Sequence, residues 1–235
     1  MSIHLLGALL FAWMILFSGR ASAESGKVQL LVSPGISEDG KLTGRLALLL
    51  ARLGAPIEPV EASHGQVTHV MDGPGPACSL TILRAPGRER FRWIARSATD
   101  TVVIASPSDA GAEFPAPGEY VAAFYAKAML DAADRLGLKV IPVYNFDQIS
   151  MILRSGRTRF VLALKTQIEH FNEAQKADLV VTRSIGDVVT WVACNGNVKE
   201  AVAGAIGDVW RKAYQDGELQ RIYAENGMEK ILPSP

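Results

Sequence analysis

The sequence predicts an α/β protein with mostly parallel sheets. Short apolar strand-like runs recur along it, helical stretches of about ten residues separate them, and Gly or Pro marks most of the changes. Lys27 to Ser33 is the first strand, ended by Pro34-Gly35. Asp39-Gly40 signals a turn, and Leu42 to Leu53 reads as a helix stopped by Gly54. Ile57 to Val60 forms a second strand. Met71 to Pro76, with two prolines and two glycines, reads as a loop, and Ala77 to Leu83 as a buried strand. Phe91 to Ile94 and Thr101 to Ala105 read as two separate short strands, and Ser106 to Gly118 as a connection rich in Pro, Gly, Ser and Ala. Tyr120 to Tyr125, Lys139 to Val143, Phe160 to Leu164 and Val188 to Cys194 are the remaining strand candidates. Helices are expected over Lys127 to Leu136, Phe146 to Arg154, Gln167 to Gln175, Val198 to Tyr214 and Leu219 to Ala224.

The first residues carry a different signal. Leu5 to Phe17 is an apolar run followed by Ala21-Ser22-Ala23, an A-x-A pattern. This predicts a secretory signal peptide over 1–23, with the mature chain starting near Glu24. The run is short for a bilayer core of about 30 Å. The segment before it holds no Lys or Arg, so an uncleaved N-terminal anchor stays open. With 24 basic and 24 acidic residues the chain has no basic excess, so nucleic-acid binding is not expected. The 49% hydrophobic content is ample for a core. Two cysteines, Cys78 and Cys194, can either pair in an oxidising compartment or remain buried thiols.

Motifs for chemistry are missing. There is no G-x-S-x-G elbow, P-loop or G-x-G-x-x-G, so neither an enzyme nor a cofactor is expected. His64 and His69 are five residues apart, wrong for one helical face, and no Asp, Glu or Cys cluster accompanies them, so no metal site is expected. Asp131 and Asp134 read as a solvated helix face, and Trp93, Trp191 and Trp210 as core.

Three segments carry a likeness. Asp39-Gly40-Lys41-Leu42-Thr43-Gly44 opens the first helix. Arg84-Ala85-Pro86-Gly87-Arg88-Glu89-Arg90-Phe91-Arg92-Trp93-Ile94 follows a buried strand. Trp210 to Tyr223 carries an Asp216-Gly217-Glu218-Leu219 turn. In this order the chain resembles the bacterial solute-binding proteins of family 3, the receptors of polar amino-acid importers. The resemblance implies a two-lobed, type 2 periplasmic-binding-protein-like fold with a hinge of crossing strands. Lobe one would be 24–101 plus 193–235, and lobe two 102–192. It implies a periplasmic, monomeric receptor for a small carboxylate-bearing ligand, amino acid or organic anion, serving an ABC-type importer or a sensor. It also implies a Cys78–Cys194 disulfide near the hinge.

By the same resemblance Arg88 would bind the ligand's carboxylate, because a guanidinium fork matches it bidentately. Arg84, Thr81, Tyr125, Lys127 and Lys165 complete the expected ligand set. This sequence departs from the family at several points. Gly87 and Ala85 replace a Glu and a Thr. Phe124-Tyr125-Ala126-Lys127 lacks the usual Gly turn, and Leu164-Lys165-Thr166 lacks the acid that pairs with a ligand ammonium. The cationic and aromatic remainder favours an anion over a zwitterion. The departures also leave open an accessory protein with a degenerate ligand site.

Overall fold

A computed structural model describes residues 27–33, 41–84, 87–111 and 113–233. The expected export signal, the Asp39-Gly40 turn and the Ala85-Pro86 pair lie outside the described residues.

β1 (Val28–Val32) lies between β2 (Ile57–Glu61) and β3 (Ala77–Leu83) and runs parallel to both. Pro59 stands in β2, which is an outermost strand, where a missing N–H breaks no central ladder. α1 (Lys41–Arg52) buries Leu42, Leu46, Leu49 and Leu50, a single stripe at helical spacing. It ends before Gly54, whose φ of +87° suits a residue without a Cβ. α2 (His64–Asp72) was not expected from the sequence. It starts at a capping box in which Ser63 and Gln66 satisfy each other's backbone N–H groups.

β4 (Arg92–Pro107) is one strand of 16 residues where the sequence predicts two short ones. Its polar middle, Arg96 to Asp100, does not alternate because that stretch crosses between lobes instead of lying on one core. β8 (Leu179–Cys194) is its partner, also 16 residues, and extends nine residues before the expected start. That extra half is exposed along much of its length and lacks an apolar pattern.

Between them come β5 (Tyr120–Phe124), α3 (Lys127–Arg135), β6 (Lys139–Val143), α4 (Phe146–Arg154), β7 (Val161–Leu164) and α5 (Lys165–Gln175). α6 (Glu200–Gln215) and α7 (Glu218–Glu225) follow β8 and return to the first sheet region. Strand order is β2-β1-β3-β8-β4-β7-β5-β6. At the far edge β6 carries Pro142, matching Pro59 at the other.

The molecule is therefore two α/β lobes threaded by one antiparallel ribbon. β8 pairs with β3 from Thr190 onward, and β4 pairs with β7 from Val102 to Ala105. The expected lobe limits at 101 and 192 fall inside β4 and β8. Lobe one's main core joins α1, α6 and α7 to the sheet through Leu46, Leu50, Leu80, Ile206, Trp210 and Tyr223. Lobe two has a core on each sheet face, one around Phe146, Ile149 and Phe171 and the other around Ile104, Met129 and Leu162. The ribbon is interrupted by register shifts at Trp93/Ala95, Arg96/Ala98, Val102/Val103 and Ile104/Ala105. Such bulges bend and twist a strand pair, which suits a hinge.

One bulge is held from outside the ribbon. The shift between Arg96 and Ala98 frees the Ser97 carbonyl, and the buried Tyr223 hydroxyl donates to it. Burial pushes the Tyr223 phenol well above its ordinary value, so it stays a donor. Cys78 and Cys194 are directly opposed on β3 and β8 and form a disulfide.

Candidate functional site

The ribbon forms the floor of a cleft of about 780 Å3 between the lobes. Lobe one contributes Leu83, Arg84 and Trp191, and lobe two contributes Lys127, Asp131 and Arg135 from α3. Val102 and the segment 185–189 make the floor.

Arg84 follows the last residue of β3. Its guanidinium carbon lies 3.9 Å from the Trp191 ring centroid and 5.1 Å from that of Trp93. The indoles meet edge to face at 6.1 Å. A guanidinium laid on an aromatic face keeps its N–H edge free. No ion pair or hydrogen bond engages Arg84 among the described residues. Trp93 and Trp191, expected as core, are half-buried supports for it, while Trp210 is core as expected.

Lys127 is the first residue of α3, and its ammonium donates to both Asp131 oxygens at 2.9 Å. Residues 127, 131 and 135 recur every fourth position, so one helix face presents all three to the cleft. Asp131 is thus on the cleft wall rather than on a purely solvated face.

The other expected ligand residues lie elsewhere. Arg88 has a side chain only 12% exposed, and its Nε and Nη2 donate to the two Asp72 oxygens at 3.3 and 3.4 Å. Its Nη1 donates to the Leu83 carbonyl at 3.2 Å. Thr81 is half-buried in β3, with its hydroxyl 3.4 Å from that of Ser33. Tyr125 is 53% exposed and packs against Tyr144 with ring centroids 5.8 Å apart. Lys165 is exposed at the start of α5. The structure brings Arg84 and Lys127 together at the cleft and does not bring Arg88, Thr81, Tyr125 or Lys165 into its lining.

Sequence reasoning missed Arg135, Asp187 and Trp191 as cleft residues. For Arg135 a signal existed, because a cleft-facing Lys127 implies position 135 two turns on. Asp187 had none, since β8's earlier half went unrecognised, and Trp191, inside the expected strand, was read as core.

The hinge also holds a buried acid. Asp100 on β4 accepts from the Thr166 hydroxyl in the first turn of α5 and from the Thr101 N–H at 2.7 Å. Burial raises its pKa above the ordinary carboxylate value, and the Thr166 hydrogen bond opposes that shift. Beside it, Thr101 Oγ1 donates to Asp187 across the ribbon at 2.9 Å. No group of three or more His, Cys, Asp or Glu able to hold a metal occurs among the described residues.

The sequence matches no family model and no curated protein. Solved structures match across most of the chain. A mutant of ArgBP from T. maritima is 16% identical over 85% of this chain and 94% of its own, with TM-score 0.68. The amino acid ABC transporter substrate-binding protein AbpA from Streptococcus pneumoniae, bound to L-arginine, is 17% identical over 85% and 94%, with TM-score 0.68. The GluR0 ligand-binding core from Nostoc punctiforme, in complex with L-glutamate, is 15% identical over 84% and 97%, with TM-score 0.69. The chain shares their two-lobed type 2 periplasmic binding fold, in keeping with the expected family 3 architecture.

Proposed function

We propose that this chain is an exported solute-binding protein. It captures a small carboxylate-bearing ligand between its lobes, without catalysis, and presents the closed form to an ABC-type importer or a sensor. The observation that carries the reading is Arg84, a guanidinium with no anionic partner among the described residues, braced on Trp191 and open to the interlobe cleft. An always-charged planar donor set held in a concave site is suited to a carboxylate. Lys127 lines the facing wall of the same cleft, where it holds Asp131. Arg88 holds the Leu83 carbonyl at the end of β3 from which Arg84 projects, while Thr81, Tyr125 and Lys165 stay outside the cleft lining.

Periplasmic delivery rests on the segment Leu5 to Ala23 and is supported by the Cys78–Cys194 bridge, since disulfides persist in oxidising compartments. Among the described residues no helix is long and apolar enough to cross a membrane.

A thermal-shift screen of the purified protein against amino acids and organic acids tests the proposal. A ligand at a hundred times its Kd stabilises the folded state by about 2.7 kcal/mol. For a chain of this size that raises Tm by roughly 5–10 °C. A hit abolished by Arg84→Gln supports the receptor and places its carboxylate. A second reading, an accessory protein with a degenerate site, is favoured by one observation, the engagement of Arg88 by Asp72 and the Leu83 carbonyl. A screen silent across both ligand classes in a folded sample selects that reading.

A further inference from the structure

Resting on the receptor reading, we infer that the ligand is a dicarboxylate bridging Arg84 of lobe one and Arg135 of lobe two. Four charged groups besides Arg84 line the cleft; two of them form an ion pair and a third is hydrogen-bonded across the ribbon. Lys127 and Asp131 neutralise one another through two hydrogen bonds of 2.9 Å. Asp187 accepts the Thr101 hydroxyl. Arg135, in the last turn of α3, has neither an ion pair nor a hydrogen bond among the described residues. Arg84 has only its two indole faces. One unanswered guanidinium therefore faces the cleft from each wall.

This placement has a consequence for closure. Bringing the lobes together crowds two like charges as water is excluded and the local dielectric falls. A monocarboxylate neutralises one of them and leaves the other with only the floor carboxylate of Asp187 as a counter-charge. A ligand anionic at both ends neutralises both and converts the repulsion into a bridge across the hinge. A ligand with a cationic side chain adds a third positive charge to the same space. The shared chemistry, two carboxylates a few bonds apart, belongs to both plain dicarboxylates and acidic amino acids. The difference between them is an ammonium, for which Asp187 is the carboxylate on the cleft floor.

Titration calorimetry of the purified protein with glutarate, butyrate, L-glutamate, L-glutamine and L-arginine tests the inference. Glutarate and L-glutamate are expected to bind at least tenfold more tightly than butyrate and L-glutamine, with affinity falling as salt rises. Glutarate matching or exceeding L-glutamate indicates that no ammonium is read, and the reverse order assigns that role to Asp187; both support the bridge. Arg135→Gln alters one exposed side chain, so circular dichroism should be unchanged while the glutarate-to-butyrate ratio falls tenfold or more. Arg135→Lys should restore part of that ratio. L-arginine or L-glutamine binding as tightly as the dicarboxylates, or an unchanged ratio in Arg135→Gln, overturns the bridge but leaves the receptor standing. A folded protein that binds none of the five, yet responds in the thermal-shift screen to a solute with fewer than two carboxylates, overturns the bridge alone. Silence in both experiments overturns the two readings together.

Discussion

Replacing Cys78 and Cys194 together by alanine removes a link between β3 and β8 whose value can be worked out. The bridged residues are 116 apart in sequence. In the chain-entropy description a closed loop of that length restricts the unfolded chain by about 16 cal/mol/K, or about 5 kcal/mol at 25 °C. The loop contains all of lobe two, so residual structure there would shorten it. Because the dependence is logarithmic, halving the effective loop lowers the value by only about 0.6 kcal/mol. The double variant should therefore lose about 4–5 kcal/mol in urea unfolding. Its m-value should rise, because an uncrosslinked unfolded chain exposes more surface. At roughly 2–4 °C per kcal/mol for a chain of this size, Tm should fall by about 10–20 °C. A loss below about 1 kcal/mol at unchanged m would falsify the unfolded-state argument.

Tyr223→Phe should cost about 1–3 kcal/mol in the same assay, since the Ser97 carbonyl at the β4 bulge loses its donor while ring packing is kept. Asp100 has a folded pKa above its unfolded one, so its contribution to stability declines as pH rises from the ordinary carboxylate value through the raised one. Urea unfolding of wild type and Asp100→Asn from about pH 3.5 to about pH 7, which brackets that interval, should show wild type losing ground to the variant as pH increases. Parallel curves would refute a buried, titrating Asp100. Arg88→Ala should lower stability by about 1 kcal/mol through Asp72. It should weaken ligand binding less than Arg84→Gln does, and the opposite order by calorimetry would restore Arg88 as the carboxylate contact.

Much of the architecture is legible in the residues themselves. Strands such as Ala77–Leu83 and Val161–Leu164, and the helix Phe146–Arg154, were readable because each buries a regular apolar face or run. The helix His64–Asp72 escaped notice because its composition is mixed, although Ser63 and Gln66 had the spacing of a capping box. The long halves of β4 and β8 escaped for a better reason. A strand that crosses between lobes, paired on one side, has no single core to face, so period-two alternation is not required of it.

Sequence by itself determined an α/β chain with its export-like segment, and it indicated two lobes through the resemblance of three short motifs. It also marked Arg84 and Arg88 as the cationic end of β3. Only the tertiary structure decided between their positions. Asp72, distant in sequence, takes the fork of Arg88, whereas two indoles brought together by the ribbon hold Arg84 at the cleft. The same holds for the cysteines, whose pairing depended on β3 and β8 meeting in a register that opposes them. Local propensity acts over a few residues and can be read from them. A partner supplied from elsewhere in the chain becomes visible only once the fold has brought it near.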